Sequence, residues 1–253
     1  MRGTAIGRAQ PINLHLLGAF ALWTNGSRVH LGRREERLLA FLAMRGPCHR
    51  PYVAGTLWPN SDESRALNNL RAAVLKVRRA APDLLDVDGS LLTLPSWVLV
   101  DLTELVDLVD RVLHHNGWDA EQAENLLGSG ELLPGWYDDW VIFDRERLQH
   151  RRIRALEVVA VHELENGHPD LALVAARDAV ALEPLRESAC RLLIRAHMDL
   201  GNRALAASVF TDYRRDLARD LGIEPSPQIL QEVRDGLARD KPREMHDASR
   251  PLA

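Results

Sequence analysis

The spacing of apolar residues changes once along this 253-residue chain, and that change limits the folds open to it. Residues 12 to 31 carry short apolar runs, Ile12 to Leu17, Ala19 to Trp23 and Val29 to Leu31, parted by Gly18 and Asn25-Gly26. Asn-Gly between two such runs predicts a hairpin, because both residues tolerate the positive φ of a type I′ turn. From Arg33 the spacing is helical: Leu38, Leu39, Leu42 and Ala43 recur on one face, and Gly46-Pro47 ends the run. Pro51 opens a short second helix through Tyr52, Val53, Leu57 and Trp58, which Pro59 closes. Asn60 with Glu63 three residues on reads as a capping box for a third helix, from about Glu63 to Ala81. Leu84 to Val87, the turn Asp88-Gly89, and Leu91 to Leu94 then predict a second hairpin. A sheet, three helices and a closing hairpin follow one another in the order of a winged helix.

From Asp101 to about Arg239 the spacing is helical throughout. Gly167 and Gly201 stand 34 residues apart, the period of a tetratricopeptide repeat, and a small residue, Ala172 or Ala206, follows each by five. The expected fold class is therefore mainly α: a winged-helix (α+β) domain over 12–98, then an all-α tetratricopeptide-like domain over 101–239. Residues 1–11 are expected to be a flexible N-terminus and 241–253 a disordered tail.

The third helix carries the strongest functional signal. At helical spacing Leu67, Leu70, Val74 and Val77 share one face, while Arg65, Asn68, Asn69, Ala72, Lys76 and Arg79 share the other. Arg pairs with guanine O6 and N7, and Asn with adenine N6 and N7, so Arg65, Asn68 and Asn69 are candidate base readers in a major groove. Lys76 and Arg79 are candidates for phosphate, which positions without specifying sequence. Arg71 lies at the edge of the apolar face, with either a DNA contact or a packed stem open to it. Arg33, Arg34 and Arg50 are further phosphate candidates or plain surface charge. The total charge of −4 divides unevenly: residues 1–100 hold 13 basic and 7 acidic side chains, a net of +6, and the remainder carries −10. A basic half can approach phosphates, whereas an acidic half suits a protein partner.

Other functions lack the residues they need. His162-Glu163 opens a zinc-protease-like string, but Asn166 stands where the second histidine belongs. No phosphate-cradling glycine loop, dinucleotide fingerprint or nucleophile elbow occurs, so no enzyme activity, metal or cofactor is expected. Cys48 and Cys190 alone cannot build a disulfide framework or a zinc ribbon, and both are expected to be inert thiols. No apolar stretch approaches the roughly 20 residues of a membrane span, and no secretory signal opens the chain, so it reads as cytoplasmic.

Several motifs occur in a telling order. The first half has Leu31-Gly32-Arg33-Arg34, Thr56-Leu57-Trp58-Pro59, Leu67-Asn68-Asn69-Leu70-Arg71 and Lys76-Val77-Arg78-Arg79. The second has Leu132-Leu133-Pro134-Gly135-Trp136, Pro184-Leu185-Arg186-Glu187-Ser188, Gly201-Asn202-Arg203-Ala204-Leu205-Ala206 and Leu221-Gly222-Ile223-Glu224-Pro225-Ser226-Pro227. Over residues 12 to 235 the chain resembles the Streptomyces antibiotic regulatory protein family, in which an OmpR-type winged helix precedes a bacterial transcriptional activator domain. The resemblance implies binding of double-stranded promoter DNA by two protomers on direct repeats, and activation through RNA polymerase. It also implies a polymerase contact at the loop Trp58, Pro59, Asn60, Ser61 and Asp62, for which a simple connector is the alternative. Two departures stand out. The expected wing carries Asp83, Asp86 and Asp88 without Arg or Lys, and the nucleotide-binding module of larger relatives has no counterpart here, so no ATP dependence is expected. The competing reading is a protein-interaction scaffold whose winged helix no longer binds DNA. Trp136-Tyr137-Asp138-Asp139-Trp140 is read as a packing corner, with a partner-binding anchor as the alternative.

Overall fold

The computed structural model describes residues 12–114, 117–118, 123 and 129–238. The expectations for 1–11 and 241–253 lie outside the described residues. The fold is mainly α: a winged-helix region leads into tetratricopeptide-like helices. The chain divides into two compact units at Arg151/Arg152, inside a long helix.

The first unit opens with β1 (Ile12–His15), β2 (Ala21–Thr24) and β3 (Ser27–Val29). Asn25 and Gly26 take positive φ of 52° and 72° between β2 and β3, as the hairpin turn requires. Next come α1 (Arg33–Arg45), β4 (Cys48–His49), α2 (Arg50–Leu57) and α3 (Glu63–Ala80). β5 (Asp86–Asp88), β6 (Leu91–Thr93), β7 (Val98–Val100) and α4 (Asp101–Leu113) follow. One sheet has the order β3-β2-β1-β7, with β1 and β7 parallel; the other has the order β4-β6-β5. Ile12, Leu14, Leu22, Val98 and Val100 turn inward to the core beneath the helices.

Three details differ from the sequence reading. The second hairpin is shorter, because Leu84 and Leu85 are buried in the connection from α3 rather than paired in a strand. Its two-residue turn is Gly89-Ser90, since Asp88 pairs with Leu91. β4 and β7 carried too few alternating residues to be seen, and each exists through a partner distant in sequence. Asp101 fixes one of these long-range junctions. Its carboxylate accepts the backbone amides of Leu16 at 2.8 Å and Leu17 at 3.1 Å, tying the start of α4 to the end of β1. Packing consequently does not break near residue 100: α4 lies against β1, β7 and α1.

The helix α5 (Asp139–Glu165) crosses the boundary between the units. The second unit continues with α6 (Pro169–Leu182), α7 (Glu187–Asp199), α8 (Arg203–Leu221) and α9 (Pro227–Ala238). The 34-residue period is written in backbone geometry. Gly167 and Gly201 have φ of 78° and 74°, and the same amide-to-carbonyl bond recurs after each, His168 to Glu163 and Asn202 to His197, both 2.8 Å. Ala172 belongs to a buried cluster with Leu164 and Ala196, and Ala206 to another with Ile194, Ile229 and Val233. Both alanines are fully buried, as close helix approach requires. Among the described residues no helix is long and apolar enough to cross a membrane.

Candidate nucleic-acid interface

Helix α3 begins at Asp62, whose carboxylate accepts the amide of Arg65 at 2.8 Å. The cap is thus Asp62 rather than the expected Asn60. An acidic cap two residues nearer the helix satisfies a free amide and opposes the positive helix end. Ala81 closes the helix ahead of Pro82. α3 packs on α1 and α2 through Ala66, Leu70, Ala73, Val74 and Val77. Leu67, expected on that face, is only half-buried. The two alanines were the missed signal, because a small side chain facing a close neighbour contributes little to an apolar stripe.

With Ala66 and Ala73 inward, the free face turns by about 50° from the expected one, at the ~100° per residue of an α-helix. Its exposed residues are Ser64, Arg65, Asn68, Arg71, Ala72, Leu75, Lys76, Arg78 and Arg79. Asn69 is half-buried at the flank. Lys76 leans towards α1, its Nζ 3.5 Å from Oε1 of Glu35, a carboxylate only 3% exposed. Arg71 is exposed and donates to Oδ1 of Asn68 at 3.1 Å, so its head joins the free face. That bond leaves the amide nitrogen of Asn68 to project as a donor. Arg78 had no place among the expected site residues; an exposed arginine beside Arg79 and about two turns past Arg71 adds to the positive charge of this face.

The β5–β6 hairpin keeps its acidic character. Asp83, Asp86 and Asp88 are exposed, and Ser90 at the tip is held by His49, whose Nδ1 lies 2.9 Å from its hydroxyl.

Three of the four arginines of α1 are engaged within the unit, and Arg34 is exposed. Arg33 stacks over the Trp136 ring at 3.6 Å, Arg37 donates to Asp138 at 2.5 Å, and Arg45 pairs with Asp144 at 2.6 Å. A phosphate role for Arg33 is therefore set aside in favour of a cation–π contact. Trp136 and Trp140 are buried; Trp136 stacks with Phe20 at 5.9 Å and Trp140 meets Phe41 edge to face at 5.2 Å, so the aromatic segment is a packing corner. Tyr137 is the exception, 81% exposed. Arg145 completes the corner by donating to the carbonyls of Leu132 at 2.8 Å and Trp136 at 3.0 Å.

Trp58 to Ser61 of the expected polymerase loop border an open groove of about 670 Å³, lined also by Arg37, Tyr137, Asp138 and Asp139, and Asp62 lies outside that lining. Ser61 donates its amide to the Trp58 carbonyl at 3.1 Å, giving the loop a fixed turn. In the protease-like string, Asn166 donates its side-chain amide to the His162 carbonyl at 2.9 Å and Glu163 faces His168 at 3.0 Å. Among the described residues no cluster of His, Cys, Asp and Glu is arranged for a metal ion.

Residues 102–235, more than half of the chain, match the family described as bacterial transcriptional activator domain. The chain belongs to that family, within the Streptomyces antibiotic regulatory proteins. It is 28% identical to the regulatory protein AfsR of Streptomyces griseus over 241 residues, 88% of this chain but 24% of that protein. The AfsR of Streptomyces coelicolor is 29% identical, again with 24% of its length covered, so the chain spans about a quarter of these relatives. The regulatory protein DnrI of Streptomyces peucetius is 24% identical, with 91% of this chain and 93% of DnrI covered. Among solved structures, EmbR of Mycobacterium tuberculosis in complex with a low affinity phosphopeptide shares the fold. The TM-score is 0.67 at 21% identity, with 90% of this chain and 65% of the EmbR chain covered. The bacterial activator domain thus begins within α4, whose packing belongs to the first unit.

Proposed function

We propose that this regulator binds double-stranded promoter DNA sequence-specifically and activates transcription, with α3 as the helix that enters the major groove. The exposed face of α3 carries this reading. Arg65 and Asn68 stand near its N-terminal end, the part of a recognition helix that meets base edges. Arg71, Arg78 and Arg79 stand further along it, where phosphate contacts fix register. Asn69 and Lys76 serve at the flanks, Lys76 with its charge already shared with Glu35.

In functional terms residues 12–98 form the DNA-binding domain and 101–239 the activator domain, acting in the cytoplasm without a cofactor or catalytic step. Two protomers occupy direct repeats, and RNA polymerase is met at Trp58, Pro59, Asn60, Ser61 and Asp62. The groove beside that loop, with Tyr137 exposed on its other wall, supports such a contact. The acidic wing favours one competing reading, a protein-interaction scaffold that has lost DNA binding. Selection of random duplexes on the purified protein separates the two. A recurring motif supports the activator, and uniform weak retention supports the scaffold. On a selected duplex, Arg65→Ala or Asn68→Ala should cost about 1 to 3 kcal/mol at one base position. Arg79→Ala should instead weaken all sequences alike and lower the salt slope by about 0.9 for each phosphate it no longer neutralises. Wild-type affinity and salt dependence in a variant with Arg65, Asn68, Arg71 and Arg79 all changed to Ala would sink the reading.

A further inference from the structure

The exposed face of α3 is not wholly polar. Leu75 is 52% exposed and Ala72, one turn before it, is also exposed. Residues three apart on a helix are surface neighbours, so the two make a short apolar strip. Asn68 and Arg71 lie on one side of it along the helix, Arg78 and Arg79 on the other. A single exposed leucine is ordinary on a protein surface, but this one occupies the middle of a helix face that otherwise presents Arg and Asn.

A leucine in that position meets a groove in which almost every group is polar. Apart from base-edge carbons, the major groove offers one apolar group that differs between base pairs, the C5-methyl of thymine. Pressed against a polar base edge, Leu75 would remove water without replacing its hydrogen bonds; pressed against a methyl, both partners lose unfavourable hydration. The neighbouring charges favour the same choice. Asn68 satisfies the polar base edges nearer the helix start and the arginines hold phosphate, which leaves the apolar strip between them facing what neither can read.

We propose that Leu75, with Ala72 beside it, reads the C5-methyl groups of one or two thymines in each half-site. This rests on α3 being the major-groove helix and extends it to base identity in the middle of the site. A methyl-sized apolar contact changes affinity about fourfold.

The test uses a duplex selected on the full-length protein and a set of copies in which single thymines are replaced by deoxyuridine, which lacks only the methyl. For the wild-type protein, one or two replacements per half-site should lower affinity about fourfold each, with the other thymines silent. Leu75→Ala should bind the parent duplex about as weakly as the wild type binds the demethylated one, and should no longer distinguish the two. Circular dichroism verifies that the variant folds; Leu75→Gln serves as a second variant should the first not. If the wild type binds its selected duplex tightly yet ignores every deoxyuridine replacement, the thymine contact is wrong while the DNA-binding reading stands. Retention of full methyl discrimination by folded Leu75→Ala also overturns it, as does an equal loss on every sequence. If no duplex is enriched at all, the reading on which the proposal rests falls first, and the proposal with it.

Discussion

Replacing Asp101 by alanine should separate the first helix of the activator domain from the sheet of the winged helix. In the folded chain the Asp101 carboxylate accepts the amides of Leu16, Leu17 and Leu102 at 2.8, 3.1 and 2.7 Å. The Leu16 side chain is fully buried, so water reaches its amide poorly once the carboxylate is gone. A buried donor left unsatisfied costs about 1 to 3 kcal/mol. Leu17 is half-buried and the Leu102 amide sits at a helix start, where solvent replaces most of what is removed. The sum is therefore about 2 to 4 kcal/mol, most of it at Leu16. Urea unfolding followed by circular dichroism measures it as a lowered midpoint at nearly constant m-value. Asp101→Asn keeps one oxygen acceptor and should lose less than half as much. Since none of these groups lies on α3, the folded variant should bind DNA as the wild type does. Equal midpoints for wild type and Asp101→Ala would show that the junction between β1 and α4 contributes nothing, and the reasoning would be wrong.

Three further outcomes are expected. Ala206→Leu and Ala172→Leu overpack equivalent helix contacts, so each should destabilise by roughly 1 to 3 kcal/mol in urea; an unaffected midpoint in either breaks the proposed equivalence. Burial would raise the Glu187 carboxyl, but hydrogen bonds from the Ser226 hydroxyl and amide and from Tyr213, with the charge of Arg191, hold it below its ordinary value. A depressed carboxyl contributes stability above its unfolded value of roughly 4.3, lost as pH falls through the folded value, so acid unfolding should be less steep in Glu187→Gln. Burial, helped by the charge of Glu187, pushes the Cys190 thiol up to about 12, so iodoacetamide should label it at neutral pH only after unfolding. Rapid labelling of the native protein at Cys190 would contradict its place in the core.

Much of the local structure was legible because it depends on neighbours in sequence. The Asn25-Gly26 turn follows from φ preferences, and α1 and α2 end where Gly46 and Trp58-Pro59 stop them. The 34-residue repeat was visible through two glycines whose left-handed conformation the fold then uses. The family motifs extended this to the whole chain because their order, more than any one of them, is specific. The candidate interface was legible only in outline. Spacing showed that α3 has a free face, but hydropathy gave Ala66 and Ala73 too little weight to orient it.

The tertiary structure decided what depends on partners far away in the chain. β7 is three residues that become a strand only beside β1, and β4 is two residues that become one only beside β6. The same holds for charge. Arg33, Arg37 and Arg45 carry the same chemistry as Arg78 and Arg79. Trp136, Asp138 and Asp144, roughly a hundred residues later, draw the first three into the unit and leave the last two outside. A sequence lists its cations, but a cation's task is set by which anion or ring the fold brings within reach, since these attractions fall off over a few ångströms once water intervenes.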